Sequence, residues 1–350
     1  MVTARWTAEH GWANPELTPY GAFHLMPTAS VLQYATACFE GMKVYRGYDG
    51  KLRLFRPQYN ASRMLASATR ISLPGFEPQE LLKLIRKLCA VDGPKWLPKD
   101  RPGLSLYIRP TLIGSDPSLG FQVPQEALLY IIISYWQTTD AAPRSQLIQD
   151  DGMRLLASRE DVVRAWPGGS GSSKISANYG PSLLAHSDAK RSGFDQVLWL
   201  SGPEGYITEA GSSNFFAIWR TEKGELQMVT AALDEHTILA GVTRQSILEL
   251  AKERFSQSSE LREEFEPLEV VETKFSIFDI ISAANEGRLL AAFGVGTACF
   301  VVPVSQIGYK GQKIDINVNA VPHVSALRKW MSDIFYGNEV SSWADVIEEE

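Results

Sequence analysis

Residues 38–57 read CFEGMKVYRGYDGKLRLFRP. Two apolar runs flank Tyr48-Asp49-Gly50-Lys51, and an Asp-Gly pair in that setting predicts a tight hairpin turn. Pro57 then opens a helix reaching Ile71, because proline suits the first helical turn, where its missing N–H has no partner to lose. Upstream, a strand or a helix start falls around Tyr34. Downstream, Glu77 to Val91 carries Leu81, Leu84, Ile85 and Leu88 at helical spacing. Leu104–Arg109 and Leu128–Tyr135 read as strands. Hairpin, helices and further strands together make the first part of the chain α+β.

The remainder repeats the mixture. Gln137 to Asp151 is polar, contains Pro143 and separates two apolar strands, so the domain boundary belongs there. A strand at Met153–Ala157 leads to the run Gly168-Gly169-Ser170-Gly171-Ser172-Ser173 and then Lys174. Tyr179 to Arg191 reads as a helix stopped by Gly193. Gln196–Leu200 and Tyr206–Thr208 form a hairpin pattern around Gly202-Pro203-Glu204-Gly205, continued by Asn214–Trp219. Gly241–Phe255 is a helix, Val301–Val304 a strand, and Val321–Phe335 a final helix.

Length and composition bound the rest. The chain has 350 residues, 45% hydrophobic and 21% charged, with 34 Lys+Arg against 40 Asp+Glu and a net charge of −6. This is ordinary globular composition, long enough for two domains. The acidic balance argues against nucleic acid as a partner. The longest apolar run, Ala127–Tyr135, falls far short of a bilayer span and reads as a buried strand. Cys38, Cys89 and Cys299 are too few and too scattered for a disulfide framework, and the five histidines show no HExxH spacing, so no catalytic metal is expected. The first twelve residues lack the apolar core of a secretory signal and the Arg/Ser bias of a transit peptide, which makes the cytoplasm the expected compartment.

Several residues stand where chemistry needs them. Lys174 follows small residues that allow close backbone approach. A phosphate loop wants Gly before and Ser or Thr after the lysine, but Ser173 and Ile175 stand there. A Schiff-base lysine and a solvated loop lysine both remain. Glu209, at the end of a strand in ITEAGSSNFF, is either a turn carboxylate or one that faces a ring nitrogen. Gly241-Val242-Thr243-Arg244 opens a helix whose free amides suit a phosphate, or is an ordinary polar first turn. Gly294 to Ala298 is a second turn of amides that suits a carboxylate or phosphate. Tyr107 and Arg109, two apart on a strand, share a face and suit a carboxylate, or form a structural pair.

These pieces occur in an order that resembles the branched-chain amino-acid aminotransferases, a group of the fold-type IV pyridoxal-phosphate enzymes. The strings are LQYATACFEGMKVYRG, LRLFRP, SLYIRPTLIGSDPSLG, VRAWPGG, KISANYG, QVLWL, ITEAGSSNFF, GVTRQSIL and GTAC, from about Trp12 to Trp343. The resemblance implies a small α+β domain at 1–136, a loop at 137–146, and a larger domain at 147–350 with an antiparallel sheet core, the cofactor lying between them. It implies transamination of a branched-chain or related apolar L-amino acid with 2-oxoglutarate, in a homodimer. A lyase of the same fold and a non-catalytic cofactor-binding homologue are the alternatives.

The resemblance also distributes roles. Lys174 corresponds to the lysine that holds pyridoxal 5'-phosphate covalently, and Tyr179 to the tyrosine at its phenolic oxygen. Glu209 corresponds to the ring-nitrogen partner. Arg63 in NASRM, Val242, Thr243 and Thr297 correspond to the phosphate cup. Tyr107 with the amides of Thr297 and Ala298 would take the substrate α-carboxylate. Arg109 with Tyr34 would take the side-chain carboxylate of glutamate, and Phe39 would form part of the apolar wall.

The chain also departs from the family pattern. Ser176 and Ala177 replace two glycines, Ala231-Ala232 replace a Pro-Pro pair, Ala240 replaces proline and Val295 replaces serine; Ala291 stands where a glutamate is usual. The redox CxxC pair is reduced to Cys299, with Val302 at its second place. No family group expected in catalysis is lost. The alanines should loosen the loop before GVTR. The departures point to a diverged paralogue in a specialised biosynthetic pathway.

Overall fold

The hairpin read from residues 38–57 is present in the computed structural model, with Arg46 opposite Leu52 and Val44 opposite Leu54. The structure describes residues 1–135, 151–298 and 300–350. The expected interdomain loop at 137–146 and Cys299 therefore lie outside the described residues. The chain divides into two units. The first comprises the N-terminal part, Ser173–Gly180 and Ser332–Glu350, and the second comprises the rest.

The first unit is built on a nine-stranded sheet. Its strands are β1 (Val2–Thr7), β2 (Gly11–Trp12), β3 (Glu16–Leu17), β4 (Ala37–Phe39), β5 (Met42–Arg46), β6 (Leu52–Phe55), β7 (Ser105–Gly114), β8 (Glu126–Tyr135) and the C-terminal strand Ala344–Ile347. Strand β7 runs past Arg109 and through Pro110, farther than the sequence suggests. It pairs with β5 up to Ile108 and with β4 from Thr111. Proline thus falls where its partner strands change over, so its missing N–H breaks no ladder there.

Three helices belong to this unit: α1 (Ser30–Tyr34), α2 (Pro57–Arg70) and α3 (Pro78–Trp96). The last two each start with proline, and α2 buries Ala61, Met64 and Ala68 on one face. On α3, Leu81, Leu82, Ile85 and Leu88 are at most 2% exposed. Each contributes about 1.5–3 kcal/mol of burial. Helix α3 continues beyond Val91, through Pro94. The Ala90 carbonyl, which residue 94 would bond in an uninterrupted helix, accepts instead from the backbone N–H of Glu350.

Two segments expected in the larger domain belong to this first unit instead. Ser173–Gly180 lies along β4 through a Cys38–Ile175 bridge. The C-terminal strand pairs with β6, and the buried Arg46 guanidinium holds Glu349. Both are long-range pairings that local sequence does not announce.

The second unit contains β9 (Met153–Ala157), β10 (Gln196–Ser201), β11 (Tyr206–Ala210), β12 (Ser213–Arg220), β13 (Leu226–Thr230), β14 (Glu269–Glu272), β15 (Leu289–Gly296), β16 (Phe300–Tyr309) and β17 (Gln312–Asp315). Its helices are α4 (Ser182–Arg191), α5 (Val242–Arg254), α6 (Ile277–Asn285) and α7 (His323–Tyr336), whose last turn counts with the first unit. The sheet is mainly antiparallel, but β9–β10, β9–β16 and β13–β14 are parallel. Long connections allow those pairings, whereas hairpins enforce antiparallel ones. Since β11 pairs with both β10 and β12, strands 11-10-9-16-15-12 close into a ring. Leu155, Leu198, Phe215, Ala217, Ala292 and Val304 belong to its buried core. Among the described residues, no helix is long and apolar enough to cross a membrane.

Candidate active site

In the first unit, Lys174 is held through both of its backbone polar groups. Its N–H donates to Ser67 Oγ on α2 at 2.8 Å, and its carbonyl accepts from Phe39 N–H at 3.1 Å. The ammonium nitrogen lies 3.1 Å from Tyr179 Oη and 5.1 Å from the centre of the Phe39 ring. Phe39 and Tyr179 themselves touch, with ring centres 5.0 Å apart. The one-turn 3-10 helix at Ser176–Asn178 makes this possible, turning the chain so that residues 174 and 179 meet. Lys174 is therefore not a solvated loop lysine.

Beside it lies a buried ion pair. Glu40 is fully buried, with Arg63 Nε on Oε1 at 2.7 Å and Arg63 Nη2 on Oε2 at 2.8 Å. Asn60 Nδ2 and the Gly41 N–H also donate to Oε2. Burial opposes ionisation of Glu40, but the charge and hydrogen bonds of Arg63, the charge of Lys174 and the Asn60 amide outweigh it. The carboxyl stays below its ordinary range. Burial, with the Glu40 charge, pushes the neighbouring Cys38 thiol up to about 12, so it stays protonated.

Tyr107 and Arg109 share one face of β7 as their spacing predicts. Arg109 Nη2 lies 3.1 Å from Tyr107 Oη, and its guanidinium covers the Phe39 ring at 4.7 Å. Gly41 is required at this point: a Cβ there would stand 2.0 Å from Tyr107 Oη. Tyr34 is half exposed. Its hydroxyl donates to the Leu119 carbonyl, and its ring meets the edge of Phe121.

The second unit holds a different group. Glu209, at the end of β11, is 2% exposed, and Arg164 Nη2 lies 2.9 Å from its Oε2. Oε1 accepts from the Leu239 N–H at 3.0 Å and from Asn214 Nδ2 at 3.3 Å. This is a buried, oriented carboxylate rather than a turn residue. Val242 and Thr243, both buried, form the first turn of α5 behind its N-cap Gly241, which makes no side-chain capping hydrogen bond. Thr297 and the exposed Ala298 sit in the turn between β15 and β16. Arg244 donates to the Ala231 carbonyl at 2.7 Å and pairs with Glu272 at 2.9 Å. The loop that was expected to be loosened by Ala231, Ala232 and Ala240 is thus tied down at Ala231.

Sequence reading passed over Glu40, Arg164, Asn214 and Ser67. All but Ser67 lie inside quoted motifs. The available signal was a charged or amide residue within a run otherwise destined for burial, which implies a partner.

Comparison with known proteins places this arrangement. The amino-transferase class IV family matches residues 37–307. The mitochondrial branched-chain-amino-acid aminotransferase of Schizosaccharomyces pombe is 43% identical over 97% of this chain and 76% of its own. The cytosolic enzyme of Saccharomyces cerevisiae is 43% identical over 99% of this chain and 89% of its own. The branched-chain amino acid aminotransferase of Thermobaculum terrenum, solved in its PLP form, superposes with a TM-score of 0.71 at 22% identity, covering 98% of each chain. The expected fold is therefore confirmed, and this chain belongs to the class IV aminotransferases, in the branched-chain-amino-acid group.

Proposed function

We propose that the chain transfers the amino group of a branched-chain or related apolar L-amino acid to 2-oxoglutarate, with pyridoxal 5'-phosphate as cofactor. The observation that carries this is Lys174 Nζ beside Tyr179 Oη, with the lysine backbone fixed on both sides. The donor set fits the cofactor. There is an amine next to a phenol, a buried carboxylate on two donors and a cation, and a helix N-terminus with no side-chain cap. Lys174, Tyr179, Arg63, Glu209, Val242, Thr243 and Thr297 are the residues that would hold it. When bound, pyridoxal phosphate supplies an electron sink for negative charge at the amino-acid α-carbon.

The protein's own groups do the rest. Lys174 Nζ would accept the proton from the α-carbon of the donor amino acid in one half-reaction and deliver a proton to the 2-oxo carbon of the acceptor in the other, with Tyr179 fixing the direction of its approach. Glu209 presents a carboxylate held by Arg164, suited to keep a ring nitrogen protonated. Tyr107, with the amides of Thr297 and Ala298, takes the α-carboxylate. Arg109 lies over Phe39, so one surface offers both an apolar ring and a cation. That combination suits a pocket that accepts leucine in one half-reaction and glutamate in the other, with Tyr34 assisting Arg109. The working form is a homodimer in the cytoplasm, and the replaced residues point to a specialised biosynthetic pathway.

The test is a half-reaction on purified protein. Visible absorbance of the bound cofactor should bleach rapidly with Leu, Ile or Val and with Glu, and Lys174→Ala should abolish the band. Bleaching by glutamate but by none of the three branched-chain amino acids would overturn the substrate assignment.

A further inference from the structure

We propose that Asn214 is a positioning residue that ties the Glu209 carboxylate to the N-terminus of α5. The proposal rests on the reading of Glu209 and Thr243 as cofactor contacts. Asn214 stands directly opposite Glu209 in the β11–β12 ladder and is 4% exposed. Its side-chain amide has two hydrogens, and both are used. One goes to Glu209 Oε1 at 3.3 Å and the other to the Leu239 carbonyl at 2.9 Å. The Leu239 N–H donates back to Glu209 Oε1 at 3.0 Å. The carboxylate, the amide and the backbone N–H and C=O of Leu239 thus form a closed ring of hydrogen bonds.

The other end of the amide fixes the helix. Gly241 is the N-cap of α5, and a Cβ there would lie 2.2 Å from Asn214 Oδ1. Only glycine lets the chain enter the helix this close to the amide. One side chain therefore sets the spacing between a carboxylate and a helix N-terminus. A ligand carrying a ring nitrogen and a phosphate on one rigid frame needs that spacing in advance, because preorganisation removes ordering cost at binding. Arg164 holds the opposite carboxylate oxygen and reaches the same loop at the Thr237 carbonyl, at 3.5 Å, while the Leu239 N–H ties the loop directly to Glu209. Asn214 adds the tie that bonds both Glu209 and the Leu239 carbonyl and also abuts Gly241, so it carries the largest share of the coupling.

The test measures pyridoxal phosphate affinity of the apo full-length chain by titration. Glu209→Gln, Thr243→Ala and their double variant are compared in the native and Asn214→Ser backgrounds. In the native background the two losses should depart from additivity by about 2–160-fold, the range for coupled neighbours. In the Asn214→Ser background the departure should fall to less than half its native value, with the Leu239 N–H bond to Glu209 remaining. Equal coupling in both backgrounds, or no coupling in the native one, overturns the proposal. If neither single variant weakens binding, the site reading fails and the proposal falls with it. Asn214→Asp, which keeps the shape, covers the case where serine does not fold. It sets two carboxylates together, so affinity should fall as pH rises from 5 to 8, more steeply than in the native chain. A native-like pH profile overturns the proposal.

Discussion

The two units each bury a carboxylate against an arginine, and they do so in opposite senses. In the first, Glu40 secures Arg63 on α2, and the arginine is the family-implied site residue. In the second, Arg164 secures Glu209 at the end of β11, and the carboxylate is the family-implied site residue. In both, the motif comparison identified the partner expected to meet a ligand and passed over its counterion. A buried charge without a counterion is prohibitively costly, so the second member of each pair is as necessary as the first. It lies far away in sequence, however, and nothing local says which group it will meet.

Removing the counterions should produce the largest effects. Glu40→Ala leaves Arg63 without its bidentate partner, and loss of one member of a buried pair costs about 3–5 kcal/mol. Arg164→Ala should fall in the same range but lower, because Glu209 keeps the Asn214 amide and the Leu239 N–H. Urea unfolding of the full chain reads both. A cost below about 1 kcal/mol in either would mean that the pair does not hold its centre.

A smaller effect is expected at the glycine next to Glu40. Gly41→Ala drives a methyl into Tyr107 Oη, which must move and take Arg109 with it. Overpacking of this kind costs about 1–3 kcal/mol. KM for the amino acid should rise more than kcat falls, whereas an unchanged KM would separate Tyr107 from substrate binding. In the second unit, Arg244→Met removes the ties to Ala231 and Glu272. Amide exchange in residues 231–241 should speed up several-fold with little change in α5, and unchanged exchange would show that the loop is held elsewhere.

The mildest prediction distinguishes the units by acid. His323 is packed against Phe255 and Phe265, and burial lowers its pKa from 6.5, against the Glu266 contacts. A histidine lowered in the folded state gives stability that is complete above its unfolded pKa and is lost as pH falls below it. Glu40 is also lowered, from 4.5, so its contribution survives until pH drops through that depressed value. Between pH 7.5 and 5.5 the second unit should weaken while the Glu40 pair holds. Amide exchange at α5 and α7 against α2 checks this, and His323→Phe should remove the difference.

Much of this was legible from local pattern. The Asp-Gly turn, the proline-started helices α2 and α3, and the shared face of Tyr107 and Arg109 follow from backbone geometry acting over a few residues. The ordered motifs carried the family, and with it the identity of Lys174, Tyr179, Glu209 and Arg63 as the residues to examine. Helix α3 shows the limit. Pro94 argues for an earlier stop, yet the helix continues through it, and the Ala90 carbonyl that proline leaves without its helical donor accepts from the Glu350 N–H.

What the sequence by itself determined is the inventory: turn, strand and helix periods, and the chemical types a transaminase needs, in family order. What only the tertiary structure decided is which distant groups meet. The return of Ser173–Gly180 to β4, the Glu40–Arg63 and Arg164–Glu209 pairs, the ring of six strands and the Asn214 tie all join residues far apart in the chain. Local conformational preferences reach only across a turn. Partner choice for a buried polar group depends on what desolvates it, and that is set when sheets and helices pack.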